Sequence, residues 1–362
     1  MTLRIVARRV HLWLGLSLGL LFVVSGLTGS ILAFYPELDR ALVPALRAVP
    51  AGSRPSSWQA VYDALRRDHP DRTGAWRIEV TPAGGPVPVR YYRPVETADR
   101  DFAPLMLWLD PRDLRTVRAG FWGEYPTSWI YALHWQLLAG RTGETVMGLA
   151  GIALAFLLLT GLVAWWPRPG QWRRALHLKR RAAPVRRLYD LHKLIGLAGA
   201  PLLLVVVVTG VLLAFPDQLR PALARLGPLF RAPALVTLPR PGPSVALDRL
   251  VARATGRFPD AVPAWIETPS TPDGVVRINL ARPAEPSRRF PRTNVWLDPW
   301  TGAILAVRDG ENERGGDILL DWLHPLHGGE ALGMAGRILV LLSGLMATGL
   351  AATGWLRWAS RR

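Results

Sequence analysis

The sequence predicts an α-helical membrane protein: a bundle of four transmembrane helices made of two tandem repeats, each with an α+β domain outside the membrane. Three observations predict it. Residues 10–36, 145–167, 194–216 and 338–356 are apolar and free of charged side chains, and about 20 such residues cross a bilayer. The chain also repeats itself: His11 matches His192 at an offset of 181, and His134 matches His327 at an offset of 193. Finally, the basic residues gather in three short segments that four spans would bring to one side.

Residues 1–36 form the first transmembrane helix. It is too long for a signal peptide, lacks a clear small-residue cleavage site and has an internal counterpart, so it is read as uncleaved. Residues 37–128 form the first outer domain. A helix from Ser56 to His69 leads into strands, and Trp108-Leu109-Asp110-Pro111 marks a turn between two of them. Residues 129–167 hold an outer histidine segment and the second transmembrane helix, and residues 168–190 form a basic cytoplasmic loop. Residues 191–216 form the third transmembrane helix. The second outer domain, 217–322, repeats the first: a helix from Ser244 to Phe258, Trp265-Ile266-Glu267-Thr268-Pro269 against Trp76 to Pro82, and Trp296-Leu297-Asp298-Pro299 at the turn. Val275 to Leu280 alternates as a strand does. Residues 323–362 hold the second outer histidine segment, the fourth transmembrane helix and a cytoplasmic tail.

The net charge of +17 suggests nucleic acid until its distribution is seen. Arg4, Arg8 and Arg9, the segment from Arg168 to Lys193, and Arg357, Arg361 and Arg362 together carry a net +14. Cationic loops stay on the cytoplasmic side, so both termini are placed there and nucleic acid is excluded as a partner. Anionic membrane lipid at the 168–187 loop is a further reading of the same charge. The chain has no cysteine, which excludes disulfides, iron–sulfur clusters, thiolate zinc and covalently attached haem.

Histidines inside membrane spans cost free energy and mark function. Four of them in two matched pairs predict two bis-histidine sites for non-covalent haem b. His11 and His192 are placed at the cytoplasmic face, each followed four residues later by a glycine, Gly15 and Gly196, which would clear a porphyrin. Gly29 and Gly210 lie 18 residues after these histidines, five helical turns on, where a second haem would sit. His134 and His327 are expected to ligate that outer haem. They share the frame L-H-x5-G-x2-G, which then aligns Thr160-Gly161 with Thr353-Gly354 and Trp165 with Trp358. His324 is the alternative to His327, disfavoured because only the His327 frame keeps those later matches. Arg8, Arg9, Arg187 and Lys193 have two readings, propionate partners or topology signals. His69 and His177 read as surface residues. Phe121, Trp122, Tyr125, Trp129 and Tyr131 read as an interfacial aromatic belt, with an acceptor pocket as the alternative.

The elements Val10-His11-Leu12-Trp13-Leu14-Gly15, Leu133-His134 with Gly140, Leu188 to Gly196 and Pro325-Leu326-His327-Gly328-Gly329 through Gly333 resemble the PepSY-associated transmembrane family. Its members include iron-regulated inner-membrane proteins and ferric-siderophore reductases. The resemblance covers nearly the whole chain. It implies four spans in the bacterial inner membrane, two periplasmic PepSY-type domains and b-type haem.

The function expected is transmembrane electron transfer to a periplasmic acceptor, with a ferric siderophore or other ferric chelate as that acceptor. No G-x-G-x-x-G follows a strand, so the donor is expected to be a separate quinol or cytoplasmic reductase. One alternative is a non-redox, membrane-anchored PepSY binding or regulatory protein. A transporter component is disfavoured, because the repeats share one orientation and no charge lies within the spans.

Overall fold

The computed structural model describes residues 2–179, 181–225 and 227–360. Arg180, Arg361 and Arg362 of the basic segments lie outside the described residues. In chain order the elements are α1 (Leu3–Leu32), α2 (Tyr35–Leu42), α3 (Pro44–Arg47), α4 (Trp58–Asp68), β1 (Trp76–Glu79), β2 (Val87–Tyr91), β3 (Leu105–Leu109), β4 (Thr116–Phe121), α5 (Pro126–Gln136) and α6 (Gly140–Trp165). They continue with α7 (Trp172–Ala175), α8 (Pro184–Ala214), α9 (Pro216–Ala224), α10 (Leu247–Arg257), β5 (Val262–Glu267), β6 (Val276–Ala281), β7 (Thr293–Leu297), β8 (Ile304–Arg308), α11 (Gly316–His327) and α12 (Gly333–Ala359). The chain divides into a helical unit and a sheet unit.

The helical unit contains the four helices long and apolar enough to cross a membrane, α1, α6, α8 and α12. Large apolar side chains on their outer surfaces, such as Leu20, Leu149, Phe156 and Trp355, are exposed, as lipid-facing residues are. This is a multi-pass membrane protein. Helices α1 and α8 each pack against both α6 and α12, so α1 and α8 occupy one diagonal of the bundle. Small residues bring the backbones close, as membrane helix packing requires. A Cβ at Gly26 of α1 would lie 3.1 Å from Ala347 Cβ of α12, and one at Gly151 of α6 would lie 2.6 Å from Val211 of α8.

All four spanning helices start before their apolar stretches, α1 and α8 by the most. Helix α1 begins at Leu3, and α8 begins at Pro184 in its first turn, where proline's missing N–H costs nothing. Arginine and lysine are good helix formers with long stems, so the basic flanks continue each helix. His11 and His192 therefore lie two turns inside their helices. His134 and His327 sit on the short helices α5 and α11, which precede α6 and α12 across short turns. Gly140 and Gly333 take φ +54° and +57° at those turns, a conformation that L side chains resist. Gly143 and Gly336 pass so close to the Gln136 and Gly329 carbonyls that a Cβ would overlap them. The shared G-x2-G frame thus encodes a tight turn before each of these two spanning helices.

The sheet unit differs from two separate outer domains. Its strands form one eight-stranded antiparallel sheet in the order β4-β3-β2-β1-β5-β6-β7-β8. Strand β1 pairs with β5, with Ile78 opposite Ile266. Each four-stranded meander would otherwise expose β1 or β5 as an open edge, and pairing removes both edges. Helices α4 and α10 cover one face through Val61, Leu65, Leu250 and Ala254, over Trp76, Ile78, Leu107, Ile278 and Leu297, all at most 1% exposed. They cap each other: Asp248 accepts from the Trp58 and Gln59 amides, and Gln59 Oε1 accepts from the Leu247 amide. The alternate residues carry arginines on aromatic rings, Arg77 over Trp265 and Arg118 over Trp108 and Tyr125.

Candidate functional site

The helical unit brings the four predicted histidines together in two pairs. His11 of α1 and His192 of α8 face each other across the bundle diagonal, ring centroids 5.9 Å apart and planes at 82°. His134 of α5 and His327 of α11 lie 6.0 Å apart at 46°. His327, not His324 one turn before it, is the partner of His134. Seventeen residues separate His11 from Thr28 beside His134, and seventeen separate His192 from Thr209 beside His327. That is about 25 Å along each helix. Between the two levels lies a closed apolar core of Phe22, Leu154, Leu158, Leu203, Ala347 and Leu350.

Each ring is held on its Nδ1 side by another helix, and the holder is the same local motif four times. His11 Nδ1 lies 3.0 Å from the Leu157 carbonyl, three residues before Thr160. His192 Nδ1 lies 3.0 Å from the Leu350 carbonyl and 3.0 Å from Thr353 Oγ1. His327 Nδ1 lies 2.9 Å from the Val206 carbonyl and 3.3 Å from Thr209 Oγ1. His134 Nδ1 lies 3.0 Å from Thr28 Oγ1, with the Ser25 carbonyl also in bonding reach. The threonines donate their own protons to carbonyls of their own helices, Thr28 to Val24 at 2.7 Å and Thr353 to Gly349 at 2.6 Å. A carbonyl only accepts, and a threonine oxygen whose proton is so committed accepts as well. Nδ1 therefore carries the ring proton, and the lone pair is on Nε2 in all four rings.

The glycine after each threonine makes room for the ring. A Cβ would meet His134 Cε1 at 3.0 Å from Gly29, His11 Cε1 at 2.8 Å from Gly161, His327 Cε1 at 2.9 Å from Gly210 and His192 Cε1 at 3.3 Å from Gly354. Gly29 and Gly210 thus clear an imidazole, where the sequence suggested a porphyrin face. Gly15 and Gly196 lie against the Leu157 and Leu350 side chains, the residues whose carbonyls hold His11 and His192. The threonine–glycine pairs are visible in sequence, and one pair per membrane histidine is the signal that identifies them as ring receptacles.

The donor set, two imidazoles per pair, would suit a haem iron held by two histidines. The two rings of each pair, with centroids 5.9 and 6.0 Å apart, would leave room for one metal between them. Anchoring Nδ1 and leaving Nε2 free is how proteins orient metal-binding histidines. Among the described residues no group of three or more His, Asp or Glu side chains could hold a metal ion; each pair offers two ligands.

The other candidates have structural partners. Lys193 is buried and donates to Asp190 Oδ1 at 2.9 Å and to the His177 carbonyl at 3.2 Å. Arg8, Arg9 and Arg187 are exposed, and so is His177. His69 ends α4 with its ring 5.7 Å from that of Trp76, so it is half-buried packing rather than a solvated side chain. Trp122 and Tyr125 pack edge to face in the sheet unit.

Four apolar spans, two cross-helix histidine pairs and an eight-stranded sheet unit define a multi-pass membrane protein. The chain belongs to the family of the PepSY-associated TM region, whose pattern matches residues 8–361. It is also similar to the uncharacterized protein PA4219 of Pseudomonas aeruginosa, 31% identical over 267 residues. That match covers 64% of this chain and 62% of the relative's length.

Proposed function

We propose that this protein is an inner-membrane di-haem b electron-transfer protein that passes electrons across the membrane to a periplasmic acceptor, a ferric siderophore or other ferric chelate. The observation that carries this reading is the two imidazole pairs, 5.9 and 6.0 Å apart, each ring anchored at Nδ1. A haem b held by such a pair would supply reversible one-electron transfer. The chain's own residues do the rest. His11 with His192, and His134 with His327, would hold one group each, and the four threonine–glycine pairs fix ring tautomer and orientation. The core around Phe22 and Leu203 excludes water and ions between the two levels.

The orientation follows from charge. The basic segments support a cytoplasmic position for the His11–His192 end, with residues 37–128 and 217–322, which follow the opposite ends of the spans, in the periplasm as two PepSY-type segments. The electron donor is a separate molecule, a quinol or a cytoplasmic reductase. A ferric acceptor is supported by the resemblance to ferric-siderophore reductases and makes the protein an oxidoreductase.

The test is a reduced-minus-oxidised optical spectrum of the purified protein with haem quantified per chain. Two b-type haems per chain are expected, falling to one in His11→Ala and one in His134→Ala. A protein expressed with ample haem that binds none would overturn the reading.

A further inference from the structure

We propose that the basic, indole-lined pocket where α1, α6, α7 and α8 converge binds a phosphate group, that of an anionic phospholipid. The cavity is about 320 Å³ and is lined by Arg4, Arg8, Trp165, Arg168, Arg186 and Lys193 among others, with no acidic side chain on its wall. Three of the five cations are committed. Arg4 donates to the Trp166 carbonyl. Lys193 and Arg186 share the fully buried Asp190, at 2.9 and 3.2 Å. Arg8 and Arg168 are exposed and have no acidic partner among the described residues. Trp165 supplies a second, independent sign: its indole Nε1 is buried and lacks a hydrogen-bond partner among the described residues. An unsatisfied buried donor costs free energy. An anion with several oxygens would answer both the indole N–H and the two uncommitted guanidinium groups.

Phosphate suits this set because guanidinium forks match its geometry and charge. A lipid is the favoured source because the pocket lies at the ends of three spanning helices, beside Trp165 and Trp166. Tryptophan marks that depth, and anionic lipid gathers at basic surfaces. The proposal is independent of the haem reading, since none of the four paired histidines lines the cavity.

The experiment uses the full-length protein in neutral-lipid nanodiscs containing a small fraction of phosphatidylglycerol, with retained lipid measured by native mass spectrometry. Inorganic phosphate and pyrophosphate are titrated separately by calorimetry. The double variant Arg8→Gln/Arg168→Gln should retain phosphatidylglycerol about 30-fold less well, with helical content unchanged by circular dichroism. A control variant, Arg249→Gln/Arg314→Gln on the sheet unit, should match the parent. Retained lipid without a response to soluble phosphate assigns the site to a headgroup; the converse keeps the phosphate site and assigns it to a soluble ester. Equal retention by the double variant, or no binding of either probe, overturns the proposal. So does binding seen only in haem-stripped protein, because the pocket would then belong to porphyrin carboxylates.

Discussion

At each paired histidine the ring is steered by a group from a different helix, and that division of labour is what the sequence shows least directly. Histidine recurrence at matched offsets singles out the four paired histidines, because a costly membrane histidine that appears twice in one frame points to a shared purpose. The partner of each ring is hidden, because helical periodicity gives a residue's face but not its neighbour on another helix. The reciprocal pattern becomes visible only in three dimensions: α1 supplies His11 and holds His134, while α6 holds His11. The same glycine position is also unequally tight. A Cβ at Gly161 would sit 2.8 Å from His11 Cε1, whereas one at Gly354 would sit 3.3 Å from His192 Cε1. We therefore expect Gly161→Ala to displace the His11 ring and lower occupancy of the cytoplasmic-side site by tenfold or more, within the range for lost ligand support. Gly354→Ala should be tolerated with at most a small change. Haem per chain in the two variants, measured beside the His134–His327 site as internal reference, checks this; equal occupancy in both would show that the glycines do not set ring position.

At the scale of elements, the strands and their turns were legible because alternation and the two Leu-Asp-Pro turns mark them. Sheet membership was not: alternation decides which face is buried, and says nothing about which strand lies alongside. The β1–β5 seam needs knowledge that both open edges arise in one compact unit. Helix α11 carries a further feature that composition cannot reveal. Its Asp321, 5% exposed, has Oδ1 2.7 Å from Arg292 Nε in an ion pair whose geometry makes no hydrogen bond. Burial pushes its carboxyl up to about 6, against the pull of Arg292 and Arg308 and with help from Glu313 and Asp317. From the ordinary carboxylate range to about pH 6 the folded protein then keeps a proton that the unfolded chain has released. Stability falls as pH rises through that window and levels off above it. Asp321→Asn removes this slope, so the variant's melting temperature should rise relative to the parent between pH 4.5 and pH 7. Thermal unfolding of the full-length protein, followed by tryptophan fluorescence, measures the difference; a difference constant across the window would place the Asp321 carboxyl in its ordinary range.

For the whole molecule, the proposed direction of electron flow depends on which end of the bundle faces the cytoplasm. The four spans and the charge asymmetry were legible because bilayer thickness and the cost of moving cations across it act on composition alone. That argument is strong here: a net +14 lies in three short segments on one side, against +3 over both long segments on the other. The chain has no cysteine, so a single introduced thiol reports its side without background. Arg187, in the basic segment, and Arg249, on α10 of the sheet unit, are both exposed, so Arg187→Cys and Arg249→Cys should fold and react. In intact spheroplasts a membrane-impermeant maleimide should label Arg249→Cys alone, and both after permeabilisation. The reverse pattern would put the sheet unit in the cytoplasm, making the His134–His327 pair the entry side and removing the case for a periplasmic ferric acceptor. Labelling of both variants in intact spheroplasts would mean that the spans do not separate the two segments, and the four-span bundle would itself need revision.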